Sequence, residues 1–166
     1  MIRAAGCLFT DGIHVLAGYQ GGKQPPCISG FGGHCEMDEP VFQTALRETV
    51  EELFGVETVS PQLLHQLETG LPPKDSIQQN CYRCFVFDFK DLELLLKTVK
   101  DSGLQSSLYS TLPLTVSDLL FQRTVSLPTE IRHLCLLPCL PSLYIDPCFQ
   151  EDIRISSSSQ AENAER

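Results

Sequence analysis

Positive charge is scarce in this chain of 166 residues: 12 Lys and Arg stand against 21 Asp and Glu, a formal net charge of −9. A sequence-independent grip on nucleic acid needs clustered cations that release counterions, and this balance argues against one. Long apolar runs are lacking as well. Apolar residues make up 42% of the chain, but no run approaches the roughly 18 residues of a membrane span. Thr10, Asp11, Gly12 and His14 interrupt the apolar N-terminus before it resembles a secretory signal. No internal repeat is found. These absences predict a soluble, cytoplasmic protein with no membrane partner, long enough to close one hydrophobic core.

Cysteine, by contrast, is plentiful, with eight residues. Without a secretory signal the default is reduced thiols that pack as small hydrophobes. Cys81 and Cys84 form a CxxC inside a segment that reads as a strand, where residues three apart point to opposite faces and chelate zinc poorly. Cys135 and Cys139 are separated by Pro138, which ends any helix they might share.

Arg3 to Thr10 reads as an apolar strand, Asp11-Gly12 as a hairpin turn and Ile13 to Tyr19 as the returning strand. A glycine-rich loop ending in Gly30-Phe31-Gly32-Gly33 follows. A helix is predicted over Glu39 to Phe54, with Asp38 as N-cap, Pro40 in its first turn and Gly55 as its stop. Leu63–Leu67 and Leu112–Val116 read as short strands, Thr69–Gln79 as a loop, and Cys81–Phe89 as a core strand whose Phe85, Phe87 and Phe89 share one face. Asp91–Lys100 and Pro128–Leu137 read as helices. The domain is placed at 1–150. Residues 151–166 are read as a polar, disordered tail, since the run from Ser156 cannot build a core.

On the 39–54 helix, Phe42, Ala45, Leu46, Thr49, Val50 and Leu53 form one broad face. Glu48, Glu51 and Glu52 fall together on another, within an arc of about 100°. Taken alone, a solvated acidic face explains such a run. Three carboxylates on adjacent turns also suit a hard cation such as Mg²⁺, and Gly30, Gly32 and Gly33 lead backbone directly towards them. Gly33 is followed by five residues, Glu39, seven residues, and then Arg47-Glu48-Thr49-Val50-Glu51-Glu52. From Gly33 to Val56 this resembles the signature of the Nudix hydrolases, with every charged position filled at the right spacing. Two departures stand out. Thr49 occupies an aliphatic position, and Leu53-Phe54 puts two residues before Gly55 where the family has one.

The resemblance implies an α/β fold, an α/β/α sandwich around a mixed sheet. It also implies an enzyme in which water attacks a diphosphate linkage with the help of divalent ions, Mg²⁺ or in its place Mn²⁺. By position, Glu48, Glu51 and Glu52 are the implied metal ligands, with the Gly32 carbonyl beside them. Glu51, Glu52 and Arg47 are the implied catalytic residues, Arg47 orienting a glutamate of the helix. Gly33 and His34 are implied to meet the substrate. The part of Glu39 is either structural or one step removed from the metal. A further acid from outside the box is expected, and Glu68, Asp101, Asp118 and Glu130 are all eligible. The implied substrate is a small phosphorylated nucleotide: a nucleoside triphosphate, a dinucleotide or a nucleotide sugar. Gly30 to Gly33 also resembles the glycine segment of enzymes that clear oxidised purine nucleotides. Capped RNA is the second reading, for which Lys90, Lys97, Lys100, Arg123 and Arg132 offer only scattered charge. A non-catalytic binding module is the third, and retention of all three glutamates weighs against it.

Overall fold

β1 (Ala4–Thr10) and β2 (His14–Gln20) are joined by the turn that Asp11-Gly12 signals. Asp11 Oδ1 accepts the N–H groups of Ile13 and His14 at 2.8 and 2.6 Å, and Gly12 adopts φ 86°, which suits a residue without Cβ. This computed structural model describes residues 1–22, 24–125, 129–139 and 146–164, the stretch 156–164 by backbone alone. Past the turn the two strands part, pairing only at Thr10↔Val15. β1 continues antiparallel with β4 (Phe31–His34), and β2 with β3 (Cys27–Ser29). Along its other edge β1 pairs in parallel with all of β6 (Tyr82–Asp88). β6 then pairs antiparallel with β5 (Asp75–Gln79), and β2 with β7 (His133–Pro138). One mixed seven-stranded sheet results.

Alternation along β1 divides the core. Ala5, Cys7 and Phe9 face one side, where α1 (Val41–Phe54), α2 (Pro61–Gly70), α3 (Phe89–Asp101) and α4 (Val116–Phe121) contribute their buried leucines. Leu8 faces the other side, with Val15, Ala17, Cys84 and Val86. α5 (Pro147–Ala164) covers that side with Phe149 and Ile153. The architecture is the α/β/α sandwich around a mixed sheet that was expected. Among the described residues no helix is long and apolar enough to cross a membrane.

α1 buries Ala45, Leu46, Val50 and Leu53 completely, in the predicted stripe. Full burial of one such large aliphatic side chain is worth about 1.5–3 kcal/mol, enough to hold a helix whose start has no side-chain cap. Gly55 ends the helix in the left-handed conformation (φ 64°), its N–H reaching the Glu51 carbonyl at 2.8 Å. The N-terminus differs from expectation. Pro40 is the N-cap rather than a first-turn residue, and Asp38 lies outside at φ 62°. Glu39 ties the segment before the helix to its first turn without capping it: its carboxylate accepts the Glu36 N–H and the Thr44 hydroxyl.

Several elements differ from the sequence reading. Leu63–Leu67 is helical, within α2, because Ser60 caps the Leu63 N–H and Pro61 occupies the first turn, while Leu63 and Leu67 lie one turn apart on the buried side. The loop placed at 69–79 contains β5. Leu112–Val116 is not a strand. Thr115 and Asp118 form a capping box that starts α4 at Val116. The core strand ends at Asp88, so Phe89 opens α3 while Phe85 and Phe87 remain in the core. The helix expected over 128–137 is instead β7 from His133, paired with β2; Pro128 lies outside the described residues. The chain does not turn into a tail at 151 either. Asp152 and Ile153 are buried inside α5, since Phe149 and Ile153, four apart, both face the sheet. All eight cysteines are free thiols, Cys7 and Cys84 buried and Cys81 exposed.

Candidate active site

Three carboxylates of the 33–56 segment, those of Glu39, Glu48 and Glu51, converge on Arg47. Its Nε donates to Glu39 Oε1 at 2.8 Å and its Nη2 to Glu39 Oε2 at 3.0 Å, a two-point fork. Nη1 reaches Glu48 Oε1 at 2.9 Å and Glu51 Oε2 at 3.0 Å, and Nη2 also meets the His34 carbonyl at 3.1 Å. One arginine thus ties together a residue before the helix, two glutamates on it and the end of β4. Burial acts against ionisation of Glu39, but the bonds from Arg47, Glu36 and Thr44 outweigh it and hold the carboxyl at about 2. Glu51 is shifted the other way. Burial raises it, Arg47 opposes, and the neighbouring Glu48 adds to the rise.

The glycine segment is fitted to the carboxylates of Glu48 and Glu52. The Gly32 N–H donates to Glu52 Oε2 at 2.9 Å. Gly32 itself has φ 154° and is pressed against β1, where a Cβ would come within 2.5 Å of the Ala5 carbonyl. At Gly33 a Cβ would overlap the carboxylate of Glu48. β4 can lie this close to β1 at Gly32 and to α1 at Gly33 only because these positions carry no side chain.

Glu48, Glu51 and Glu52 form one wall of a cleft of about 520 Å³, and Glu57, Thr129, Glu130 and Ile131 contribute to the rest of its lining. This cleft separates the four acids proposed from outside the box. Glu68 on α2 accepts from Gln43 Nε2 at 2.8 Å, Asp118 closes the α4 capping box, and Asp101 ends α3. None of these lines the cleft, and Glu130 does. Glu130 is further oriented by the buried Gln20, whose Nε2 donates to its Oε1 at 3.2 Å. Sequence reading passed over Gln20 and Glu57. The first carried no signal beyond being a polar residue at a strand end, and the second lies just past the helix stop. His34 is exposed. Its carbonyl bonds Arg47, and its side chain does not line the cleft.

Arg123 joins the two sides of the cleft from behind. Its Nη1 donates to the Leu53 carbonyl at 2.6 Å, and its Nη2 to the carbonyls of Glu52 at 3.0 Å and Ile131 at 2.8 Å. A cation at the C-terminal end of α1 answers the unpaired carbonyls and the negative end of the helix dipole. It also fixes the segment next to Glu130 relative to Glu52.

Among the described residues, five carboxylates line this cleft and no lysine or arginine does. Such an all-oxygen, like-charged set matches a hard divalent cation and does not match a soft one. Among the described residues, no three His, Cys, Asp or Glu side chains close around a single point as a complete metal cage.

A comparison with protein-family models gives no match, and one with curated proteins gives none either. Among solved structures, the chain is similar to a hydrolase of the NUDIX family from Clostridium perfringens, at 12% identity and a TM-score of 0.44, over 95% of this chain and 97% of that one. Identity and score at that level transfer no site residue.

Proposed function

We propose that the protein is a Mg²⁺-dependent hydrolase of the Nudix type that cuts the diphosphate linkage of a small nucleoside diphosphate derivative. The observation that carries this reading is the shared cleft. Three glutamates at the signature spacing and a fourth carboxylate, Glu130, from a distant part of the chain line one acidic opening. Divalent ions bound there supply charge neutralisation for the phosphate oxygens and a lowered pKa for the attacking water. The protein's own contribution is orientation. Arg47 aims Glu48 and Glu51 while anchored to Glu39, and the Gly32 N–H aims Glu52. Glu130, reached by Gln20 and set on the segment that Arg123 holds, is assigned the role of accepting a proton from the water.

The test is a hydrolysis screen of the purified protein with Mg²⁺ over nucleoside triphosphates, dinucleotides, nucleotide sugars and capped RNA, with Glu52→Gln in parallel. The expected result is turnover of a small nucleotide and its loss in the variant, which keeps an oxygen to accept from Gly32 but loses the charge. Turnover of capped RNA alone would move the substrate to RNA ends. No turnover of any substrate, or a variant with unchanged kcat at saturating Mg²⁺, would refute the assignment.

A further inference from the structure

Gln20 and Cys27 are cross-strand partners, the last residue of β2 opposite the first of β3. Residues opposed in an antiparallel pair send their side chains to the same face, and here the two meet. Cys27 Sγ donates to Gln20 Oε1 at 3.5 Å. The other end of the same amide donates to Glu130, Nε2 to Oε1 at 3.2 Å. Side chains from three separate segments thus form one line, with a donor facing an acceptor at each step. Gln20 in the middle is 4% exposed, while Glu130 at the end is exposed and lines the carboxylate cleft. A carboxamide has an acceptor end and a donor end, and turning it over exchanges them. Turned over, Gln20 would set its oxygen against the Glu130 carboxylate and its NH₂ against a thiol, which accepts weakly. Both neighbours select the same orientation.

We propose that Cys27 is a positioning residue for the hydrolysis: by donating to the far end of the Gln20 amide, it keeps that amide donating to Glu130 and so keeps the Glu130 carboxylate aimed. The inference rests on the hydrolase reading for the role of Glu130 as proton acceptor. Arg123 holds the backbone next to Glu130, through the Ile131 carbonyl at 2.8 Å, but a glutamate side chain keeps torsions of its own. Gln20 acts on those torsions, and it does so only while its own side chain is held. A buried amide oxygen costs free energy when nothing donates to it, and Cys27 meets that need. Without the thiol, Gln20 turns to find another donor and carries Nε2 away from Glu130. Cys27 does not line the cleft, so its effect on the reaction passes through Gln20.

Cys27→Ala removes the donor and Cys27→Ser keeps one on the same Cβ. Cys27 is half-buried at the start of a three-residue strand on the sheet edge, so both variants are expected to fold, as melting checks. In the full chain at saturating Mg²⁺, Cys27→Ala is expected to lower kcat about tenfold with KM unchanged, a part of the roughly 10²-fold or more that a general base carries. Cys27→Ser is expected to restore most of it. In a Glu130→Gln background, Cys27→Ala is expected to have no further effect, because the group it aims has lost its function. A second reading needs no turnover. The Gln20 side-chain amide, assigned in nitrogen–proton NMR spectra by its disappearance in Gln20→Leu, is expected to shift in Cys27→Ala and stay in place in Cys27→Ser. A chain that shows this shift but hydrolyses nothing fails the hydrolase reading, whereas an active chain whose Gln20 signal ignores Cys27→Ala fails this one. A Cys27→Ser protein as slow as Cys27→Ala, or a full Cys27→Ala effect in the Glu130→Gln background, overturns the assignment equally.

Discussion

Arg47 and Glu39 meet through two parallel hydrogen bonds, 2.8 and 3.0 Å long, with side chains only 11% and 12% exposed. Such a fork fixes the guanidinium plane, not merely its position. The plane in turn decides where Nη1 points, and Nη1 is the atom that holds Glu48 and Glu51. Glu39 therefore acts on the cleft through Arg47 without lining it.

The pH dependence of stability follows from that fork. Glu39 falls from an ordinary 4.5 to about 2 in the folded chain. A depressed carboxyl contributes stability that is fully present above its unfolded value and is lost as pH falls through the folded one. The melting temperature is expected to drop as pH goes from about 4.5 to about 2. In Glu39→Gln the melting temperature should be lower at pH 7 and the acid limb shallower. Parallel melts of the two proteins across this range isolate Glu39 from other carboxylates, and identical acid limbs would show that the fork does not hold in solution.

Gly33→Ala tests the closeness of β4 to α1. The added methyl overlaps the Glu48 carboxylate, which is the far end of a flexible side chain and can swing away. The cost in stability is accordingly small, about 1 kcal/mol or less, while Glu48 loses its aim and its contact with Arg47. Turnover is expected to fall at least about tenfold, the equivalent of one misplaced charge-assisted contact. Thermal melting beside Mg²⁺-dependent kinetics checks this. A variant that melts far lower while keeping its kcat would mean that the backbone moved and the carboxylate did not.

Glu130 is distinguished from the other acids by a direct comparison. Glu130→Gln is expected to lower kcat by about 10²-fold or more, the usual scale for a general base, with little change in melting temperature at this exposed position. Glu68→Gln should leave kcat near that of the parent. Arg123→Met is expected to reduce both quantities, because it releases the Ile131 segment and uncaps α1 together. Equal kcat in the Glu130 and Glu68 variants would remove Glu130 from the site.

What was legible in the sequence follows from where the information is stored. The stripe of α1, its Gly55 stop and the Asp11-Gly12 turn are local, and each forms as read. Ser60-Pro61 and Thr115-x-x-Asp118 were equally local start signals, overlooked because the apolar residues beside them suggested strands. β7 is different. Its residues 133–138 form a strand because β2 offers them an edge, and no local pattern announces a partner over a hundred positions away. The same holds for the site. Spacing placed Glu48, Glu51 and Glu52 on one face, but the choice of Glu130, its link to Gln20, and the burial of Asp152 depend on chain crossings that spacing does not encode.

Phe54, the residue additional to the family spacing, extends the helix instead of distorting it. α1 runs unbroken to Phe54, and Gly55 caps it with an N–H to the Glu51 carbonyl four residues back. No internal bulge is present to re-aim Glu51 and Glu52. The extra residue is fully buried, its ring 6.0 Å from that of Tyr109, and its carbonyl accepts the Ser106 hydroxyl at 2.5 Å. Phe54→Ala is therefore expected to cost about 3–5 kcal/mol, the range for truncating a buried aromatic, with the Mg²⁺ dependence of turnover unchanged. Deleting Phe54 should cost more, since it draws Gly55 and Val56 back by one position. The bonds from Ser106 to the Phe54 carbonyl and from Ser107 to the Gly55 carbonyl are then lost or shifted together. Chemical denaturation gives the stabilities, and Mg²⁺ titration of the hydrolysis rate gives the metal dependence. A Phe54→Ala protein that melts like the parent but needs far more Mg²⁺ would show that this residue shapes the carboxylate turn instead of the core.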